Sequence, residues 1–327
     1  MSILVTGCAG FIGSNVSRLL LEAGHVVLGL DNLNDAYSVR LKRWRLSRLE
    51  SQPGFSFHEI DISDYRATRP VFKPAGSSAG DGVSAVINLG ARAGVRYSVE
   101  NPWAYYEANT LGTLNLLELC REFGVRKFVL ASTSTVYGAQ PPGPFKEDAH
   151  SSRPLTPYAA SKKAAETLLY SFHHLHGLDA TVLRYFTVYG PAGRPDMSIF
   201  RFVRGITERE PITVFGDGTQ QRDFTYVDDV ARGTVLAVRP LGYETINIGN
   251  DRPIVLNDVI AMIERSVGEE ARIEYKEMHA ADAMFNWADV SSAGKLLDWS
   301  PTVGIEDGVQ RTVNWYKENR DWAKYLV

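Results

Sequence analysis

The feature that most constrains the fold is a glycine-rich segment that directly follows the first apolar run of the chain. The run ILVT at 3–6 reads as a strand, and VTGCAGFIGS then places three glycines at the opening of a helical pattern. Glycine permits a tight turn and a close backbone approach to a ligand, and a helix N-terminus favours an anion. This position after the first strand predicts a dinucleotide-binding loop. The loop residues expected to bind the dinucleotide are Gly7, Gly10, Phe11, Ile12 and Gly13.

Short apolar runs alternate with helical segments through the first half of the chain. The strand-like runs are ILVT (3–6), VVLGL (26–30), FSFHEI (55–60), AVINL (85–89), KFVLAS (127–132) and ATVLRYF (180–186). Strands that alternate with crossover helices form a parallel sheet with helices on both faces. The sequence therefore predicts an α/β fold with a Rossmann-type, doubly wound parallel sheet. A Gly- and Ser-rich stretch at 73–84 is expected to be a surface loop.

The pattern changes after residue 190, where prolines and glycines lie close together. A short apolar run follows at 211–215, then an extended segment that leads into a helix at 223–238, and a further strand at 245–250. Ligands of doubly wound folds bind beyond the carboxyl ends of the strands. We therefore expect a smaller α/β domain that binds substrate over that edge of the sheet.

A carboxylate at the end of the second predicted strand indicates which dinucleotide is bound. Asp31 lies 18 residues beyond Gly13 (31 − 13), close to the separation expected for a carboxylate that binds the adenosine ribose. A carboxylate there would repel a 2′-phosphate, so NAD is favoured over NADP. The alternative is that Asp31 only caps the turn that follows it.

Composition and charge argue against several classes of partner. The chain has 35 basic and 38 acidic residues, so it has no excess of positive charge that would attract nucleic acid or anionic lipid. No continuous apolar run reaches the roughly 18 residues of a membrane span. The two cysteines offer neither a disulfide framework nor a metal-spaced cluster. We expect a cytoplasmic protein without a metal site.

The segment TPYAASKKAAE at 156–166 predicts a helix that carries a tyrosine and a lysine on one face. Thr156 is the expected N-cap, with Pro157 in the first turn. Tyr158 and Lys162 are four residues apart, which places them one above the other. Tyrosine is only about 0.1% ionised at pH 7, and a nearby ammonium together with a positive nicotinamide ring favours the phenolate. The pair follows a hydroxyl-rich strand end, LASTSTVYG at 130–138, and that conjunction is specific.

These motifs together resemble the extended short-chain dehydrogenase/reductases, a family of nucleotide-sugar epimerases, dehydratases and decarboxylases. The resemblance covers essentially the whole chain and includes Asp61 after the third strand. Within the family, four stretches look most like the UDP-glucuronate 4-epimerases. They are DNLNDAYSVRLKRWRL (31–46), AGVRYSVENPWAY (93–105), RYFTVYGPAGRPDM (184–197) and QQRDFTYVDDV (220–230).

The resemblance implies an NAD-dependent, redox-neutral isomerase that inverts carbon 4 of a UDP-hexuronic acid through a 4-keto intermediate. Tyr158 would be the general base, Lys162 its pKa modifier and ribose anchor, and Thr133 the hydroxyl that relays the proton. Further implied contacts to NAD are Asp31, Asn32, Asp61 and Ile62. Implied contacts to the nucleotide sugar are Thr133, Ser134, Thr135, Thr187, Arg194, Arg222 for the diphosphate, and Asp282 for the nucleotide ribose.

The residues after Thr133 separate the reactions of this family. Dehydratases need a carboxylic acid/carboxylate pair where this chain has Ser134 and Thr135, and decarboxylases typically carry a glutamate at the position of Thr135. Hydroxyl groups and Arg194 would instead retain the substrate carboxylate by stabilising its charge. The alternative for the hydroxyl groups is that they only cap the strand end.

Other functions stay open at this point. UDP-glucose 4-epimerase shares every catalytic residue, and UDP-glucuronate decarboxylase starts from the same sugar. An NAD-binding protein without activity and a dehydrogenase that releases NADH are further alternatives. The family also implies a homodimer through a four-helix interface, formed by the helices through 105–120 and Tyr158. We expect an NAD-binding domain over residues 1–187, to which residues 223–250 return, and mainly nucleotide-sugar binding over 188–327.

Overall fold

A computed structural model of the protein describes residues 1–72, 82–278 and 284–326. Most of the predicted loop at 73–84, and the predicted ribose ligand Asp282, lie outside the described residues. Within those three ranges, no helix is both long enough and apolar enough to cross a membrane.

Every apolar run named above forms a strand, with bounds that agree to within one or two residues, and the structure adds short strands that no run predicted. In chain order they are β1 (Ser2–Thr6), β2 (Val26–Asp31), β3 (Phe55–Glu59), β4 (Ala85–Asn88), β5 (Lys127–Thr133), β6 (Asp179–Tyr185), β7 (Thr187–Tyr189), β8 (Ile212–Phe215), β9 (Gln221–Tyr226), β10 (Tyr243–Ile248), β11 (Pro253–Val255) and β12 (Ile273–Lys276). Seven of them form one sheet in the order β3-β2-β1-β4-β5-β6-β10. All of its neighbouring pairs are parallel, which confirms the predicted fold class.

Helices cover both faces of this sheet. They are α1 (Phe11–Glu22), α2 (Val39–Glu50), α3 (Tyr65–Phe72), α4 (Tyr97–Glu100), α5 (Pro102–Tyr105), α6 (Gly112–Phe123), α7 (Pro157–His176), α8 (Ser198–Glu208), α9 (Val227–Leu236), α10 (Leu256–Val267), α11 (Ser291–Leu297), α12 (Ile305–Glu318) and α13 (Arg320–Ala323). Side chains alternate between the faces along each strand. Leu4 of β1 therefore packs with α3, α6 and α7, whereas Ile3 and Val5 pack with α1, α9 and α11.

The order of the strands creates the crevice in which the site lies. From β1 the chain runs outward to β2 and β3, then returns to β4 on the other side of β1. The loops after β1 and β4 therefore diverge at the carboxyl edge, which is the expected place for a dinucleotide. β10 pairs with β6 and closes the far edge of the sheet.

Two small sheets and a separate core form the rest of the structure. β7, β9 and β11 make one sheet, and β8 pairs with β12 in the other. Their core includes Val203 of α8, Val259 of α10 and Val313 of α12, all buried. These elements lie beside the carboxyl edge of the large sheet and form the other wall of the cleft.

The helix predicted through residues 105–120 contains a wider turn. A π-helical segment, Tyr106–Leu111, separates α5 from α6. The turn coincides with the buried Asn109, whose side chain bonds both the backbone N–H and the carbonyl of Arg92 and also reaches the Ser161 hydroxyl on α7. π-helical turns of this kind are frequent beside functional sites.

Candidate active site

The glycine loop packs backbone against backbone beneath the N-terminus of α1. Gly7 has a φ of +68°, and a Cβ at Gly13 would lie 2.0 Å from the Gly7 carbonyl oxygen. α1 begins directly after Gly10, with neither a side-chain cap nor an acidic residue in its first turn. Its first N–H groups and its positive dipole end therefore face the cleft. This arrangement fits the pyrophosphate of NAD, because the N–H groups can donate hydrogen bonds to an anion.

Asp31 lies at the end of β2, at the edge of the same cleft. Its carboxylate accepts hydrogen bonds from the backbone N–H groups of Ala9, at 3.2 Å, and Leu33, at 2.9 Å. The side chain thus caps the following turn, the alternative given above, and also ties that turn to the glycine loop. It still lines the cleft, 8% exposed, where a ribose would lie.

Asn32 and Asp61 connect the ends of β2 and β3. The Asn32 amide donates to Asp61 at 2.7 Å, and the Ser63 hydroxyl and N–H donate to the same carboxylate. Burial raises the pKa of Asp61, but these hydrogen bonds outweigh it and the net pKa lies below the ordinary value. Asp61 is therefore ionised and held in place. Ile62 follows it into the cleft wall.

The helix α7, which carries Tyr158 and Lys162, begins as the sequence predicts. Thr156 accepts a hydrogen bond from the Ala159 N–H at 3.3 Å and is the N-cap of α7. Tyr158 and Lys162 then project from one face of the helix into the cleft. The Lys162 ammonium donates to the carbonyl of Ala131 in β5 at 2.9 Å, which fixes its direction.

Thr133 ends β5 near Tyr158, and its hydroxyl lowers the pKa of the phenol. The Thr133 hydroxyl also lies 3.0 Å from the Thr135 hydroxyl and accepts from the Thr135 N–H at 3.2 Å. The hydroxyl groups therefore cap the strand end, as the alternative states, and line the cleft as well.

The protein alone does not bring the pKa of the Tyr158 phenol close to 7. Burial raises the pKa of Tyr158, and the hydrogen bond with Thr133 and the charge of Arg194 oppose that shift without reversing it. Burial also lowers the pKa of Lys162 to about 8, against the negative charge of Glu166. Ionisation of Tyr158 near neutral pH therefore needs a further positive charge beside the phenol.

A buried ion pair supports the catalytic groups from behind. Glu166 and Arg184 are paired at 2.8 Å, and their side chains are only 3% and 4% exposed. Glu166 also accepts a hydrogen bond from the Ser132 hydroxyl at 2.6 Å. The pair thus connects α7, which carries Lys162, to the carboxyl ends of β5 and β6.

The predicted substrate residues line the opposite wall of the cleft. Thr187 begins β7 and pairs with Phe224, and Arg222 lies on β9. Arg194 is 19% exposed and pairs with Asp196 at 2.6 Å. Every predicted site residue except Asp282, which is not described, lines this one cleft of about 1070 Å³.

The cleft contains polar groups that the sequence reading missed. Three further arginines line it, Arg92, Arg96 and Arg201, and Arg96 lies over the ring of Phe215 at 3.7 Å. Two of them stand in or beside the stretch at 93–105 that carried the resemblance, but nothing there assigned them a role. Asn286 donates to the Ser134 hydroxyl at 3.1 Å from a segment distant in sequence, so no local signal pointed to it.

A family model described as the NAD dependent epimerase/dehydratase family matches residues 3–249. This chain belongs to that family. It is also 56% identical over 324 residues to a UDP-glucuronate 4-epimerase of Thermodesulfobacterium geofontis, covering 99% of this chain and 98% of the relative. The family resemblance drawn from the motifs is confirmed.

Solved structures of this epimerase/dehydratase family share the fold. A tyrosine-to-phenylalanine mutant of UDP-glucuronic acid 4-epimerase from Bacillus cereus, in complex with UDP-4-deoxy-4-fluoro-glucuronic acid and NAD, has a TM-score of 0.91 at 36% identity, over 98% of this chain and 100% of that chain. A UDP-glucose 4-epimerase from Thermotoga maritima with UDP-glucose has a TM-score of 0.89 at 33% identity, over the same shares. The fold alone therefore does not distinguish an enzyme for UDP-glucuronate from one for UDP-glucose. That distinction depends on the residues of the site.

Proposed function

We propose that this chain is an NAD-dependent UDP-glucuronate 4-epimerase that forms UDP-galacturonate. The observation that carries the proposal is one cleft in which Tyr158, Lys162 and Thr133 face a group of hydroxyls and Arg194. The first three are the groups needed to move the proton of a sugar hydroxyl. The hydroxyl groups and Arg194 suit the carboxylate of a hexuronic acid.

Gly7, Gly10, the first turn of α1 and Asp31 are the groups that would hold NAD. When bound, NAD supplies the hydride acceptor and donor for carbon 4 and a positive nicotinamide ring. Tyr158 takes the proton of the 4-hydroxyl and returns it after the sugar has turned. Thr133 hydrogen-bonds the same oxygen and keeps it beside the phenol. Lys162, held by the Ala131 carbonyl, adds positive charge in the buried site.

The 4-keto form of a glucuronate is a β-keto acid, which loses carbon dioxide readily. In that side reaction the bond between carbon 5 and carbon 6 breaks, and a proton replaces the carboxylate at carbon 5. The chain has neither an acid pair nor a glutamate at Ser134 and Thr135 to promote dehydration or decarboxylation. Thr135, Thr187 and Arg194 instead hydrogen-bond the carboxylate, and this raises the barrier to its loss because decarboxylation disperses the charge.

Different residues contact the different parts of the nucleotide sugar. Arg222 contacts the diphosphate, and Asp282 the ribose of the uridine. The first-turn N–H groups of α8, which begins just after Met197, face the same anion. Residues 1–187, with 223–250, are the NAD-binding domain, and residues 188–327 mainly bind the nucleotide sugar.

The working unit is a homodimer in the cytoplasm. Support for the dimer comes from large apolar side chains on the helices before α6: Trp103 is 78% exposed, and Tyr106 and Leu111 each exceed 40%. A four-helix contact between two copies would cover them together with part of α7. Support for a reducing compartment comes from the two cysteines, Cys8 and Cys120, which are free thiols.

The test is to incubate the purified protein with UDP-glucuronate, without added cofactor, and follow the anomeric and H4 protons by NMR. Formation of UDP-galacturonate without a pentose supports the epimerase and retained NAD together. Formation of a UDP-pentose would identify a decarboxylase. Turnover of UDP-glucose alone would favour the UDP-glucose 4-epimerase, and a sustained NADH absorbance would indicate an open-cycle dehydrogenase.

A further inference from the structure

Arg45 is a buried arginine that the reaction above leaves unused. It lies on α2, is 3% exposed, and is hydrogen-bonded both to the glycine loop and to the turn before Arg194. The hydrogen-bond acceptors of its guanidinium within the described residues are neutral oxygens. A buried cation without a carboxylate in direct contact is costly, so its position calls for an explanation beyond stability.

The guanidinium joins two loops that are far apart in sequence. Its Nε and Nη2 both donate to the carbonyl of Ala192, at 3.1 and 2.6 Å. Its Nη1 donates to the carbonyl of Ala9 at 3.2 Å and to the hydroxyl of Tyr37 at 2.7 Å. Ala9 lies inside the glycine loop, and Ala192 lies in the turn that leads to Arg194.

The turn held by Arg45 is strained. Ala192 has a φ of +53°, in the left-handed region, which is unfavourable for a residue with a Cβ. Two donors from one rigid guanidinium hold its carbonyl in that conformation. Tyr37 connects the same groups again, because its ring centroid lies 5.4 Å from the Arg45 guanidinium carbon and 5.6 Å from that of Arg194.

We propose that Arg45 is a positioning residue that fixes Arg194, and with it the substrate carboxylate, relative to the cofactor loop. The proposal rests on the proposed function, because it assumes that Arg194 retains the carboxylate. The hydrogen bonds of Arg45 are to Ala192, Ala9 and Tyr37, and not to Tyr158 or Arg194. Arg45 acts through the strained turn at Ala192 and through Tyr37, so its loss shifts Arg194 while the catalytic tyrosine stays in place.

The test is Arg45→Lys, which keeps the charge but loses the planar fork of donors. The readout is the ratio of UDP-pentose to UDP-galacturonate formed from UDP-glucuronate, measured by NMR. This ratio is set within each active molecule, so a smaller folded fraction does not change it. We expect the ratio to rise about tenfold, the scale of a small misplacement in a catalytic site. Arg48→Lys, an exposed position on the same helix, is the matched control and should leave the ratio unchanged.

The outcomes separate the two proposals. If the unmodified protein does not epimerise UDP-glucuronate, the proposed function fails. If it does and Arg45→Lys keeps the same product ratio, the role of Arg45 is refuted. Should Arg45→Lys fail to fold, Tyr37→Phe removes one of its contacts while retaining the ring. A rise of about twofold to threefold in the ratio is then expected from the loss of one hydrogen bond, and an unchanged ratio again overturns the proposal.

Discussion

Tyr158 is the proposed proton acceptor, and its neighbours in the described residues do not bring the pKa of the phenol below its ordinary value. Tyr158→Phe removes the proton acceptor but keeps the ring, so we expect turnover to fall by at least about 10²-fold. NAD should still be retained, because the glycine loop and Asp31 are untouched. NMR turnover and the cofactor content of the denatured protein check both statements. Turnover within a few-fold of the unmodified protein would remove Tyr158 from the mechanism.

Thr187 tests the carboxylate pocket at a single hydroxyl. Thr187→Val keeps the shape and the β7 pairing but removes a hydrogen-bond donor that faces the cleft. We expect a larger proportion of decarboxylated product from UDP-glucuronate, because the β-keto acid loses one stabilising contact. The products are separated and quantified by NMR. An unchanged proportion would exclude Thr187 from retention of the carboxylate.

Lys162 makes folding depend on pH in a defined direction. Its pKa is about 8 in the folded protein, against 10.5 ordinarily, because burial disfavours the charged form. Between these values the unfolded chain binds the additional proton, so the contribution of Lys162 to stability rises with pH. Relative to Lys162→Met, the unmodified protein should gain up to about 1.4 kcal/mol per pH unit from pH 8 upward. Urea unfolding at several pH values measures the difference, and a constant difference contradicts the shift.

At the scale of elements, α7 is attached to the sheet by the Glu166–Arg184 pair. Glu166→Gln leaves Arg184 buried without its carboxylate, which typically destabilises a protein by about 3–5 kcal/mol. Denaturant unfolding measures this loss. Glu22→Gln breaks an ion pair whose partners are 40% and 56% exposed, and it should change stability by less than about 0.5 kcal/mol. Equal effects of the two substitutions would mean that the buried pair does not anchor the helix.

At the scale of the whole molecule, the proposed dimer depends on the apolar face before α6. Trp103 is 78% exposed, so Trp103→Glu should not disturb the fold of one copy but should place a charge in the interface. We expect a dimer mass by light scattering for the unmodified protein and a monomer mass for the variant. The melting temperature of the variant reports whether the single copy still folds. A monomer in both cases would refute the interface.

The large sheet and most of the site follow from the sequence because their signals are local. The strands of the sheet are short apolar runs, and the glycine loop, Thr156 and the Tyr158–Lys162 spacing each lie within about ten residues. The π-helical turn at Tyr106–Leu111 did not follow, because Asn109 bonds Arg92 and Ser161, neither of which is a helical neighbour.

The order of strands and helices, the loop for the dinucleotide and the family could all be predicted, because their motifs are continuous stretches of chain. The contacts between distant groups could not be predicted in this way. The tertiary structure brought Arg45 to Ala192, Asn286 to Ser134 and Glu166 to Arg184. It also buried Tyr158, and this burial raises the pKa of the phenol. The reason is physical: hydrogen-bond partners and burial depend on distances between segments, and residue spacing along one segment carries no information about them.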